Sequence, residues 1–222
     1  MKKIILLSLA LAILLVGCGG GSSKSGLKKN KYVGSLPAIY ADYALAKKAD
    51  EAKIDKLYKK GNFKKIMKEA EKQEKEQKLR RKKFDADIEA EKARIAGTEI
   101  PVSYSKDLQA SDMLFYNVAP VKLNERCYAE VFLSAKQDFT VPGGGQQSYA
   151  IYCRLITKDG TTIRKDIMYP VSWSSKPISF TAGEKLGQKG DKHDILIHPY
   201  SDPELYANFA GIEFITEEEY NK

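Results

Sequence analysis

The side chains of this chain with ligand or acid–base chemistry gather near its C-terminus, where His193, Asp194 and His198 stand among Asp191, Asp202 and Glu204. Imidazoles and carboxylates so close in sequence could hold a divalent metal or carry out general acid–base hydrolysis. Their spacing argues against both. The intervals match no metal motif, and five residues of extended chain between His193 and His198 send the two rings to opposite faces. The better account is polar residues at a loop and strand end, with no metal and no cofactor. No Ser, Lys or Cys stands in a nucleophile context such as Gly-x-Ser-x-Gly. A small periplasmic hydrolase or metal-dependent enzyme built on residues 193–204 is the competing expectation.

Cys127 and Cys153 are the next candidates for chemistry. Both fall in predicted adjacent strands, and a hairpin centred near Thr140 sets them opposite each other, as a disulfide requires. Cys127, Ala129, Val131 and Leu133 form one inward row, and Ile151, Cys153 and Leu155 form another. A turn at Asp159 and Gly160 pairs that second row with Arg164 and Asp166, however, so a bridge and two buried free thiols both stand as readings. Trp173, between Ser172 and Ser174, lies with Tyr169, Tyr200 and Tyr206 near predicted turns. Together they could make an aromatic platform that stacks on sugar rings or receives a protein partner; alternatively they fill the core.

The elements that must position these residues fall into two textures. Residues 36–96 are rich in Ala, Lys and Glu, with Pro37 and Gly61 as the only breakers. This pattern predicts a helical hairpin or long helix, the first helix carrying Ile39, Tyr43, Ala46, Ile54 and Leu57, the second Phe63, Ile66, Met67, Ala70, Phe84, Ile88 and Ile95. Between Glu71 and Lys83 the stripe lapses. Glu71 with Lys75, Glu74 with Lys78 and Glu76 with Arg80 are acid-first pairs that support a solvated rod. Leu57, Tyr58, Gly61, Asn62 and Phe63 resemble the turn of a tetratricopeptide repeat, but no second copy follows and no solenoid is expected.

After Gly97, short runs rich in Val, Ile, Tyr and Phe alternate with turn signals, predicting strands at 99–104, 113–121, 126–135, 148–157, 161–169, 177–181, 194–198 and 209–216. The fold class is therefore α+β: the helical segment, then an antiparallel β-sandwich of immunoglobulin-like or jelly-roll-like type over residues 98–222. Because its strands carry their own turns, this part is expected to fold alone.

The ends of the chain differ in charge. Residues 24–97 hold 22 basic and 12 acidic side chains, while residues 98–222 hold 13 and 17. Such a basic segment could address nucleic acid, but its lysines lie all round the helices with few interleaved aromatics, and no nucleic acid is expected. Lys2 and Lys3 precede an apolar run from Ile4 to Val16, too short for a bilayer span and laid out as a secretory signal. Leu15, Val16, Gly17 and Cys18 in series resemble the lipobox of bacterial lipoproteins. The resemblance covers only the leader, and it implies cleavage after residue 17 and lipid attachment at Cys18. Residues 18–35 then form a Gly/Ser/Lys tether and residues 36–97 a spacer. Gly19 directly after Cys18, with no acidic cluster following, implies an outer-membrane protein facing the periplasm. The partners implied are the membrane, through the lipid, and an envelope protein or polysaccharide.

Overall fold

The computed structural model describes residues 24–61, 63–108, 120–143, 150–171, 175–186 and 192–222. Cys18, Trp173, Asp191 and the predicted strand at 113–121, apart from its last two residues, lie outside them. The class is α+β, as the two textures predict.

Helix α1 (Leu36–Lys59) and helix α2 (Phe63–Ile95) run antiparallel. Pro37 sits in the first turn of α1, where its missing N–H costs nothing. At the other end Lys60 and Gly61 donate to the carbonyls of Leu57 and Tyr58, and Gly61 takes a positive φ that turns the chain back. The apolar stripe lapses because the middle of the hairpin is closed by polar groups. Gln73 donates to the Asp50 carbonyl, and Arg80 crosses from α2 to the buried Asp50 carboxylate at 2.5 Å. Of the three pairs foreseen along α2, only Glu74 with Lys78 forms an ion pair among the described contacts. Lys72–Glu76, Arg81–Asp85 and Lys83–Asp87 make basic-first pairs instead.

Eleven strands follow among the described residues. One sheet has the order β1 (Glu99–Ile100), β3 (Val121–Leu123), β4 (Tyr128–Ser134) and β10 (Lys192–Leu196), all antiparallel, with β9 (Lys185–Leu186) on the far end of β4. The second has the order β2 (Val102–Tyr104), β11 (Phe209–Ile215), β6 (Ile151–Thr157) and β7 (Thr162–Met168). Strands β5 (Phe139–Val141) and β8 (Ile178–Phe180) pair separately. The expected single strand at 99–104 is divided at Pro101, which has no N–H to give to a ladder. Its first half joins one sheet and its second half the other, where β2 runs parallel to β11, so this sheet is mixed. Gly211 is required at that crossing, since a Cβ there would lie 2.5 Å from the Pro101 carbonyl oxygen. Two short helices, α3 (Pro203–Ala207) and α4 (Glu217–Asn221), are capped by Asp202 and by a Thr216/Glu219 capping box.

The inner faces of both sheets enclose one core. Both predicted inward rows are buried: Cys127, Ala129, Val131 and Leu133 from one sheet, Ile151, Cys153 and Leu155 from the other. The base of the hairpin belongs to this same core through Val33, Leu36, Ile88 and Ile95, so the helices are not merely solvated. The start of α1 and the end of α2 both lie at this core, and the turn between the helices points away from it.

Asn30 fastens the segment before α1. It is 3% exposed. Its amide nitrogen donates to the carbonyls of Ala207 and Phe209, and its oxygen accepts from the N–H groups of Tyr32 and Val33. Asn30→Ala would leave these groups without partners, and should lower stability by roughly 2–4 kcal/mol, read as the shift in a urea midpoint. A midpoint unchanged from the parent would show that water replaces all four contacts.

Candidate functional site

Where the hairpin meets the turn after β10, aromatic rings from three separate segments converge. Tyr40 and Tyr43, three apart on α1, share a face. Phe84 comes from α2, and His198 and Tyr200 follow β10. Tyr43 stacks on Phe84 at 4.2 Å between centroids. Tyr40 meets Phe84 edge-on at 5.5 Å and Tyr200 at 5.6 Å, with His198 tilted against Tyr40 at 6.3 Å. The rings line an open cleft of about 820 Å³. Tyr40, Tyr43 and Phe84 are half-buried, whereas Tyr200 is 60% exposed.

The turn that presents Tyr200 is fixed from below. Tyr206, in α3, is buried in the core, and its hydroxyl accepts from the His198 N–H at 3.3 Å. The rim of the cleft carries both signs of charge: Lys47, Lys48, Arg81 and Lys92 against Glu51, Asp85 and Glu89. Arg81 lies 5.6 Å above the Phe84 ring and donates to Asp85. The hydrogen bond it gives to Asp85 raises the Arg81 pKa, with a further hydrogen bond to Tyr43. Burial raises the Tyr40 hydroxyl pKa, and Lys92 only partly offsets it. Burial alone would lower the pKa of Lys92, but its hydrogen bond and charge pairing with Glu89 leave it raised. At neutral pH the cleft therefore offers the neutral Tyr40 phenol and the Arg81 and Lys92 cations, a surface suited to stacking and to charged hydrogen bonds.

The predicted aromatic platform is redistributed. Tyr200 stands in the cleft, while Tyr206 fills core. Tyr169 is exposed after β7, in the other sheet, beside Tyr152. Trp173 lies outside the described residues. Sequence reasoning placed Tyr43 and Phe84 on ordinary helical stripes and left Tyr40 unremarked; three aromatics among so many Ala and Lys residues were the available signal.

The polar cluster is likewise dispersed. His193 lies on β10 opposite Val131, its Nε2 buried without a hydrogen-bond partner among the described residues. Burial lowers its pKa and Asp194 offsets only part of that, so the ring is neutral at pH 7. Asp194 pairs with Lys192, which also binds Glu130. Asp202 caps α3, Glu204 lies in its first turn, and His198 faces the aromatic cleft. Among the described residues no three His, Cys, Asp or Glu side chains are grouped to hold a metal ion.

Cys127 and Cys153 are free and buried. They do not stand opposite each other, because Cys127 precedes β4 in one sheet and Cys153 lies on β6 in the other. Cys153 instead opposes Asp166, and its thiol lies 3.8 Å from that residue's carbonyl oxygen. Cys127 closes the β3–β4 loop at a φ of 62°, a conformation usually left to glycine, with its side chain turned into the core. Burial pushes the Cys127 thiol up to about 11 and the Cys153 thiol up to about 12. At pH 8 the thiolate fractions of Cys127 and Cys153 are roughly two and three orders of magnitude below that of an ordinary cysteine, whose pKa is about 8.5, so the native thiols should react far more slowly with a disulfide reagent. Denaturation without reductant should release both, and recovery of neither would show that they are bridged.

Comparison with protein-family models, curated proteins and solved structures gives no match.

Proposed function

We propose that the chain is a membrane-anchored envelope lipoprotein that binds an envelope polysaccharide in the aromatic cleft. The observation that carries the binding reading is the convergence of Tyr40, Tyr43, Phe84 and Tyr200 on one open cleft with a charged rim. Aromatic faces take the apolar faces of sugar rings, and rim charges of both signs answer the carboxylate and amide groups of envelope polymers. The lipobox-like residues 15–18 support the anchor at Cys18 and a place on the outer membrane facing the periplasm. No helix among the described residues is long and apolar enough to cross a membrane. The division of the first strand between two sheets around one core supports a sandwich reading of residues 98–222.

The test is binding to isolated cell-wall polysaccharide by the full mature chain and by Tyr200→Ala and Tyr43→Ala variants. Tyr200→Ala removes an exposed ring and should weaken binding roughly tenfold, about 1.4 kcal/mol, without moving the melting temperature. Polysaccharide binding that is absent in the parent, or equal in both variants, would remove the cleft from the account. Retention of a protein instead would redirect it to a protein partner.

A further inference from the structure

The far end of the hairpin leaves large apolar side chains in water. Tyr58, in the last turn of α1, and Phe63 and Met67, at the start of α2, are 58, 72 and 64% exposed. Phe63 and Met67 are four apart and lie on one face. From residue 54 to residue 68 the segment carries Lys56, Lys59, Lys60, Lys64, Lys65 and Lys68 against Asp55 alone. Lysines at the start of α2 oppose its dipole, and no acidic residue stands in its first turn, so helix stability does not account for them. Leu57, Lys65 and Lys68 also line an open groove of about 730 Å³ near this end, which farther along α2 carries both lysines and glutamates.

We propose that this tip docks onto an anionic lipid bilayer. The lysines lie among the headgroups, while Tyr58, Phe63 and Met67 enter the boundary between headgroups and acyl chains. Charge complementarity selects the anionic surface. The exposed rings and thioether select a bilayer over a soluble acidic polymer, which would engage the lysines alone. The reach also fits a membrane near the tether. The N–H groups of Lys24 and Ser25 donate to Asp42, so the described chain begins beside the second turn of α1. From there Lys60 is about 27 Å along the helix. The five residues between Cys18 and Lys24 span at most about 20 Å. A hairpin laid along the surface thus brings the tip and Cys18 to one membrane. The inference does not depend on the lipid, and its test omits it.

The chain from residue 18 onward, with Cys18→Ser so that no acyl group is attached, is sedimented with vesicles of phosphatidylcholine alone and of phosphatidylcholine mixed with phosphatidylglycerol. Binding is expected only with the mixture, and it should weaken as salt shortens the screening length below about 8 Å. Replacing Lys59, Lys60, Lys64 and Lys65 with Gln should weaken it at least a hundredfold, since each lysine near an anionic surface is worth roughly fivefold. Phe63→Ser with Met67→Ser should weaken it at least tenfold at unchanged helical circular dichroism. A Phe63→Trp variant should show blue-shifted emission on the mixed vesicles. Equal binding to both vesicles, no binding to either, or unchanged binding by the Phe63/Met67 variant overturns the proposal. So does retention by a soluble acidic polysaccharide in the absence of vesicle binding.

Discussion

A chain that begins at Gly97 should fail to melt cooperatively, although every strand of both sheets would still be present. The truncation strips Val33, Leu36, Ile88 and Ile95 from the common core. Burying one such side chain contributes roughly 1.5–3 kcal/mol, so the four together are worth roughly 6–12 kcal/mol. That is the size of the whole stability of an ordinary domain, about 5–15 kcal/mol. The loss goes beyond area. Asn30 would no longer satisfy the carbonyls of Ala207 and Phe209. Near-ultraviolet circular dichroism during heating separates the outcomes. A single sharp transition for residues 97–222 would mean that the sheets close their own core. A broad change without a defined midpoint is the expected result. Leu36→Ala in the full chain offers a graded version, with a cost of about 2–5 kcal/mol and the fold retained.

What the sequence could and could not disclose follows from the range of the interactions. The inward rows on β4 and β6 were legible because alternation is a local property: each row is read from residues two apart. The hairpin at Asp159 and Gly160 was legible as a turn but not in its size. Thr157 donates to Thr161 across a three-residue loop, and Gly160 takes the positive φ. A bulge at Leu155/Ile156 then restores the register that a two-residue loop would have given, so Cys153 still opposes Asp166. The conflict between an apolar row and a charged one was thus real. It is met by an Arg164–Asp166 ion pair at 2.9 Å on the edge strand β7. Whether Ile88 and Ile95 face solvent or core depends on which other elements pack against them, and helical periodicity cannot report that. The cleft was illegible for the same reason. Its rings come from Tyr40, Tyr43, Phe84 and Tyr200, and the local hints, three aromatics among Ala and Lys and a tyrosine in a turn beside His198, could not show that they converge.

Replacing Cys18 with alanine should abolish fatty-acid labelling and leave the leader attached, so that a longer precursor accumulates. The expectation rests on the lipobox-like series Leu15, Val16, Gly17 and Cys18 and on the glycine-rich stretch after it. Its size follows from the chemistry of the anchor. A single acyl chain binds a bilayer with an association constant of about 10⁴ M⁻¹, and each further buried methylene adds about 0.8 kcal/mol, so a multiply acylated cysteine is held essentially without release. A substitution that removes every acyl chain therefore changes membrane retention by far more than any side chain of the folded body. The tip docking proposed above would contribute a weaker, salt-sensitive component. The two are separable: a carbonate and salt wash should strip a contact made by lysines but leave an acylated protein in the membrane pellet. Metabolic labelling with palmitate, followed by that wash, is the decisive measurement. Equal labelling of parent and Cys18→Ala protein would refute attachment at this residue. Loss of label with unchanged size and unchanged retention would point to an uncleaved leader as the anchor.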